Sequence, residues 1–454
     1  MTVDDVRALL PQLQLFHQRF HTFFHRAEPR QWSFRYIQGL LLTMDRKNAE
    51  NIAEEIQAPP RKLQEFLSDS PWDERACIQE LQRAVGETIG SPNGVLVLDD
   101  TGFPKKGDHS AGVGRQYSGT LGKIDNCQVG VFLSYASPYG HTLVDRRLYI
   151  LSEWFLEKNR QQKEQAGIPD TLRFQTKLEM GTEMLKQATA LGHLWYQWVT
   201  GDSAYGESHN VRNLVASLGK WYCFEVKSNT RIWTKDPAWQ IPSQNQQQSQ
   251  DQEEIKVTEA VTEAEERQYK GEQPKRGRGR PCSRLAPSKE SLPSLDASEV
   301  AQMLSDSEWE QIILSEGDKG PRAFYFLRTR VIESQERKPG PAAWLMIRKS
   351  VEDPSDIKYY LSNAPETISL AEMAWAGCQR WSIEVDFKLA KNEVGLDQYE
   401  ITKYRGWYHH ITLSMMALLF LKMIQRQWSE KKNTGYRSRD TKDIRGGTTE
   451  EGME

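Results

Sequence analysis

The chain has 454 residues, a length that suits about three domains, and its 59 Lys and Arg nearly balance 62 Asp and Glu for a net charge of -3. Hydrophobic residues make up 38% and charged residues 27%, and the 14 Trp and 16 Tyr supply enough aromatic surface for a sizeable core, which excludes a wholly disordered chain. Near-zero net charge gives no general attraction to nucleic acid, so a DNA or RNA partner has to be argued from local patches.

The first residues lack the charged-then-apolar pattern of a secretory signal. Residues 1–90 read as helical. Ile37, Leu40, Leu41 and Met44 recur at the spacing of one helix face, Ile52 and Ile56 mark a second segment, and Leu63, Phe66 and Leu67 a third beyond the Pro59-Pro60 break. Helix, tight turn and helix suit a DNA-reading helix-turn-helix; an ordinary three-helix bundle without DNA contact fits the same pattern.

Residues 91–230 alternate strands and helix. Val95-Leu96-Val97-Leu98 is a continuous apolar run ending at Asp99 and Asp100, as in a strand buried on both faces. Gln128–Ser134, Leu143–Ile150, Trp195–Thr200 and Trp221–Val226 read as further strands, with a helix near Gln175–Leu191. The mixture points to an α/β sheet.

Between about 241 and 303 the composition becomes low in complexity. It is Gln- and Ser-rich, then acidic, and Lys270–Lys289 holds seven basic residues and one acidic one. Such sequence has little to bury and is expected to be a disordered linker. Strand patterns return at Ala323–Ile332, Ala343–Ile347 and Lys358–Leu361, so that 231–365 reads as one β-rich region. Helices are expected at Leu370–Asn392 and Trp407–Gln427, within 366–428, and a disordered polar tail at 429–454. The longest apolar run, Ile411–Leu421, stops at Lys422 and is too short to span a bilayer. The five cysteines (Cys77, Cys127, Cys223, Cys282 and Cys378) form no C-x-x-C pair, which argues against a zinc ribbon or a disulfide framework and for a reduced, cytoplasmic setting. Cys127 and Cys378 lack His neighbours and read as buried thiols, and the adjacent His409 and His410 cannot both face one metal and read as packing or DNA-side residues.

Carboxylates carry the possible chemistry. Asp99 and Asp100 end one apolar strand, Asp202 ends another, and Glu384 lies on a late helix. Ends of strands are where α/β sheets place ligands. Convergent carboxylates suit hard, oxygen-seeking Mg²⁺, and two such ions support in-line phosphoryl displacement. Helical spacing puts Arg380, Glu384, Lys388 and Lys391 on one stripe. That stripe reads either as solvated ion pairs or as a metal-binding Glu among phosphate-gripping cations.

These residues carry a resemblance. Asp99-Asp100-Thr-Gly-Phe-Pro-Lys105-Lys106-Gly, with Gly112 to Lys123 and Asn126-Cys-Gln, resembles the first conserved block of insertion-sequence 701 family transposases. Gly201-Asp202-Ser-Ala-Tyr205-Gly resembles the second, and Arg380-Trp-Ser-Ile-Glu384 through Tyr399 and Gly406-Trp-Tyr-His-His resembles the third. The resemblance implies a DDE transposase. It implies an RNase H-like α/β catalytic core, interrupted by a β-rich insertion, behind an all-α N-terminal DNA-binding domain. The triad maps to Asp100, Asp202 and Glu384, as catalytic residues and as ligands of two Mg²⁺ ions, for which Mn²⁺ substitutes; Asp99 competes for the first position. Arg380, Glu384 and Lys391 keep the Arg-x3-Glu-x6-Lys spacing of the related insertion-sequence 4 group, whose Tyr is replaced here by Gly377. Between Asp202 and Glu384 lie 181 residues, room for the insertion and the linker.

The implied reaction is cut-and-paste transposition by a homodimer on double-stranded DNA, both transposon ends and target, in the cytoplasm at the nucleoid, with no membrane and no nucleotide cofactor. Lys105, Lys106, Arg115, Lys123, Lys388, Arg380 and Lys391 are the expected DNA contacts. Arg278-Gly279-Arg280-Pro281 resembles the core of a minor-groove AT-hook, and a solvated basic linker is its plainer reading. Trp233 and Trp344 suit base stacking or, more simply, core packing. Two other classes fit part of the pattern: a transposase-derived DNA-binding regulator without catalysis, and an RNase H-fold nuclease without strand transfer.

Overall fold

Helices precede the first strand. They are α1 (Val3–Gln18), α2 (Ala27–Leu41), α3 (Ala49–Glu55), α4 (Pro60–Ser68) and α5 (Glu74–Ile89). A computed structural model of the chain describes residues 3–119, 122–240, 286–287, 292–317, 320–336 and 338–443. The expected apolar stripes face inward: Ile37, Leu40, Ile52, Leu63, Phe66 and Leu67 are all buried. Met44 lies beyond the end of α2. Side chains cap two of these helices at their starts, Asn48 accepting from the Asn51 amide at α3 and Asp73 from the Ala76 amide at α5.

The next strands and helices are β1 (Val95–Pro104), β2 (Gly114–Ser118), β3 (Lys123–Ser137), β4 (Gly140–Tyr149), α6 (Arg160–Gln165), α7 (Lys177–Leu191), β5 (Trp198–Gly201), α8 (Ser203–Gly206), α9 (His209–Ser217) and β6 (Trp221–Val226). β1 pairs antiparallel with β3 and parallel with β5, which pairs parallel with β6. Val95 to Leu98 are fully buried, as a central strand requires. The apolar run suggested that β1 ends at the two aspartates. It runs on to Pro104, because the longer β3 keeps pairing with it as far as Cys127. Pairing with β5, however, stops at Leu98–Gly201, so the aspartates sit where one neighbour ends.

Beyond β6 come β7 (Arg231–Trp233), β8 (Trp239–Gln240), β9 (Ala286–Pro287), β10 (Leu295–Asp296), α10 (Ala297–Gln302), β11 (Glu310–Gly317), β12 (Gly320–Gln335), β13 (Lys338–Ser350) and β14 (Ile357–Ser362). Strand β14 pairs with β6, so that among the described residues twelve strands join one mixed sheet. The expected linker, 241–303, ends in ordered structure at β10 and α10: Asp296 and Glu299 form a capping box, a start signal the polar composition had masked.

Three helices close the chain: α11 (Leu370–Cys378), α12 (Arg380–Val394) and α13 (Tyr404–Asp443). Leu370–Asn392 is thus two helices joined at Gln379, and the last helix runs past the expected boundary at 428. Trp407 packs edge-on against Phe103 and at a tilt against Phe132, with ring centres 6.4 Å apart in each pair. Phe132 in turn meets Phe387 at 5.3 Å, which seats α12 and α13 on one face of the sheet. Each such pair adds about 0.5–1.5 kcal/mol beyond burial. Tyr36 and His410 join at 2.8 Å and tie α2 to α13, while His409 bonds the Leu67 carbonyl and stacks on Trp72. Both histidines are therefore packing residues. No helix among the described residues is long and apolar enough to cross a membrane.

Candidate active site

Side chains alternate along a strand, and this separates the paired aspartates. Asp99 and Thr101 point to the face covered by α12, where Lys391 Nζ donates to Thr101 Oγ1 at 2.9 Å. Asp100 points to the α7 side, where Lys177 Nζ meets its Oδ2 at 2.6 Å. Asp202 follows β5 and caps α8, its Oδ1 accepting from the amides of Ala204 (3.0 Å) and Tyr205 (3.4 Å).

Arg380 opens α12 and gathers carboxylates. Its guanidinium lies 2.8 Å from Glu384, 3.5 Å from Glu225 and 3.6 Å from Asp99. The spacing Arg-x3-Glu makes the first contact local, one helical turn apart; the other two are tertiary. Glu225 projects from β6 and also pairs with Lys358 of β14 at 2.7 Å. Glu225, Lys358, Arg380, Trp381 and Glu384 line a cavity of about 310 Å³ beside these groups.

Electrostatics single out Asp99. Burial, then the charges of Asp202 and Asp100, push its carboxyl up to about 7. Burial likewise raises Asp202, against the amides that cap to it and the Arg380 charge. Burial opposes the charge on Arg380, yet Glu384, Asp99, Glu225 and Asp202 hold it above its ordinary value. The Tyr205 hydroxyl is buried without a hydrogen-bond partner, within electrostatic reach of Asp100, Asp99 and Asp202.

The chemistry of this set fits a hard divalent cation. The charged donors are carboxylate oxygens, a buried oxygen is left unpartnered beside them, and Asp99 carries a like-charge burden that a cation relieves. Among the described residues no three or more His, Cys, Asp or Glu side chains are gathered closely enough to hold an ion. Glu384 is turned to Arg380 and Asp100 to Lys177 instead.

Of the expected residues, the structure brings Asp99, Asp202, Glu384 and Arg380 to one neighbourhood, with Lys391 tied to β1 at Thr101 beside it, and Asp100 on the opposite face of the same strand yet within electrostatic reach of Asp99 and Asp202. Lys106, Arg115, Lys123 and Lys388 are exposed. Lys105 is turned inward: its Nζ donates to the Tyr399 carbonyl at 2.9 Å and sits 3.5 Å from that ring's centre, and burial lowers it to about 8. That placement removes it as a free backbone contact. Arg278 and Arg280 lie outside the described residues. Trp233 is buried; Trp344 donates to the Ala364 carbonyl and lies under Arg328 and Arg330. Gly377 stands where the related group has Tyr, and a Cβ there would meet Cys223 Sγ at 2.7 Å, so the packing leaves no room for a side chain. Sequence reasoning missed Lys177 and Glu225. A carboxylate inside the apolar run Trp221–Val226 was a signal for the second; Lys177 had none.

The comparisons with known proteins settle the family. A model described as "DDE superfamily endonuclease" matches residues 19–281, and one described as "Transposase DDE domain" matches residues 176–420. Each spans more than half of the chain. The chain belongs to the DDE transposase family. It is 31% identical over 201 residues to "Probable transposase for insertion sequence element IS701" of Microchaete diplosiphon, a match covering 43% of this chain and 49% of that protein. The chain thus spans about half the length of the curated relative it matches. Both family models include Asp202, and the second reaches Glu384 and Arg380. DDE domains are typically dependent on a divalent metal, in keeping with the donor set.

Proposed function

We propose that the protein is a transposase that cleaves DNA at the ends of its own element and joins the freed 3′ ends to target DNA. The observation that carries this reading is the gathering of acidic side chains from four separate elements around Arg380: Glu384 of α12, Glu225 of β6 and Asp99 of β1 in contact with it, and Asp202 after β5 within electrostatic reach. An RNase H-like core is supported by the strand order β4-β3-β1-β5-β6 with β3 antiparallel to β1. On this reading residues 1–90 form an all-α DNA-binding domain, 91–230 and 366–428 the core, and 231–365 a β-rich insertion.

Asp99, Asp202 and Glu384 would hold Mg²⁺, with Asp100 the alternative first ligand. Asp99 is preferred because it shares a face with Arg380 and Lys391, while Asp100 is held by Lys177 on the other. When bound, the cation supplies charge stabilisation to an in-line phosphoryl displacement. Arg380 orients Glu384 and Asp99 and presents a fork suited to a phosphate. Lys391 fixes α12 to β1 through Thr101. In the first step a water oxygen attacks the phosphodiester and the 3′ oxygen leaves as a hydroxyl. In the second that hydroxyl attacks the target phosphodiester and displaces its 3′ oxygen. Both ends are brought together by a homodimer, so that cutting awaits pairing.

The test incubates labelled DNA carrying the element's ends with a target plasmid and Mg²⁺. Joined product supports the transposase. Cleavage without joining selects a nuclease, and binding without cleavage selects a regulator.

A further inference from the structure

A cavity of about 710 Å³ lies against β4, which among the described residues pairs with β3 alone. Its walls hold Arg75, Arg146, Arg147 and Arg405 against Asp73 and Glu74. Neighbouring contacts already use much of the acidic charge: Asp73 caps α5, and Asp145 of β4 pairs with Arg147 at 2.8 Å and with Arg146 at 3.7 Å. The long helix α13 begins at this wall with Tyr404–Arg405, and helix starts attract anions; the start of α5 is already capped by Asp73.

Two buried donors at the cavity are unsatisfied. Arg146 is 1% exposed; one of its terminal nitrogens donates to Thr412 Oγ1 at 2.7 Å, yet its Nε has no hydrogen-bond partner. The Nε1 of Trp72, whose ring stacks on His409 at 4.3 Å, has none either. Both groups only donate, so what they lack is an acceptor.

Register ties the cavity to the active site. Asp99 lies opposite Phe132, which lies opposite Arg146; Asp100 lies opposite Val131, which lies opposite Arg147. Two strand spacings put the backbone of the arginines roughly 10 Å from the backbone of the aspartates.

We propose that this cavity binds a backbone phosphate of the DNA duplex on which the active site works, holding the duplex beside β4. The proposal rests on the transposase reading. The full-length protein is titrated with a labelled random-sequence duplex of about 30 base pairs over a salt series. Arg75 and Arg405 are exposed, so the R75Q/R405Q double variant keeps the fold. It is expected to bind about tenfold more weakly at about 0.1 M salt, with the slope of log K against log salt smaller by about 2. A second variant, Trp72→Phe, keeps the ring and loses the donor, and is expected to weaken binding several-fold. Wild-type affinity and slope in both variants overturn the proposal, as does competition by inorganic phosphate that leaves duplex affinity unchanged. Failure of the wild type to cut element ends would remove the transposase reading, whereas the binding series judges the cavity independently.

Discussion

Asp99 and Asp100 project from opposite faces of β1, and the consequence is a difference in chemistry that their adjacency conceals. Asp99 shares its face with Arg380 and the Glu384 helix, and Asp100 is held by Lys177. Asp99→Asn is expected to lower end cleavage by about 10³-fold or more, as loss of one member of a catalytic unit does. Asp100→Asn, an outer partner on this account, should cost about 10- to 100-fold. The reverse order, measured as single-turnover rates on the same end DNA, would move the first metal position to Asp100. Gly377→Tyr should destabilise the fold by at least about 1–3 kcal/mol, since even a Cβ meets Cys223 and Met346; an unchanged unfolding midpoint in urea contradicts this packing. The acidic residues were legible because Asp99, Asp100 and Asp202 end apolar runs. Lys177 and Glu225 were not, because nothing local announces which distant strand or helix a charged side chain will meet.

Elements sort by how local their signals are. β6 was legible at its full span, and α4 and α7 nearly so, since a Pro or capping residue starts each helix and an apolar period runs through it. The extension of β1 past the aspartates was hidden, because it depends on how long β3 stays paired. So was the break at Gln379, which starts α12 at Arg380 and so aims the Arg-x3-Glu turn at β1 and β6. Helix α7 offers a test of positioning by an element. Thr176 caps it in a box with Glu179, one residue before Lys177. Thr176→Ala is expected to cost about 1 kcal/mol of stability. The loosened first turn should also lower cleavage less than Asp100→Asn does. Stability equal to wild type in urea unfolding would show that the cap contributes nothing.

Across the whole molecule, α13 is the spine on which the N-terminal helices and the sheet both pack, and its polar contacts include the buried His409 and His410. Burial lowers His409 and His410 to about 3, and burial with the charge of His21 does the same to His17. In the unfolded chain these rings titrate near 6.5. Between about 6.5 and 3 the unfolded state therefore binds more protons, and stability falls as pH falls. The loss is on the order of 1.4 kcal/mol per pH unit for each histidine well below 6.5. Urea unfolding at about pH 7.5, 6 and 5 checks this, and a midpoint that does not drop contradicts it. Net charge gave no hint of a DNA partner; on the proposed reading the cations that would meet DNA are local, Arg380 at the carboxylates and the arginines along β4.

Mg²⁺-dependent cleavage of DNA carrying the element's own ends, wild type beside Glu384→Gln, bears most directly on the metal-assisted transposase reading. The carboxylate arrangement predicts cutting by the wild type, and a variant that still binds end DNA but cuts at least about 10³-fold more slowly. Equal cleavage by both proteins would remove Glu384 from the site and with it the metal-binding triad.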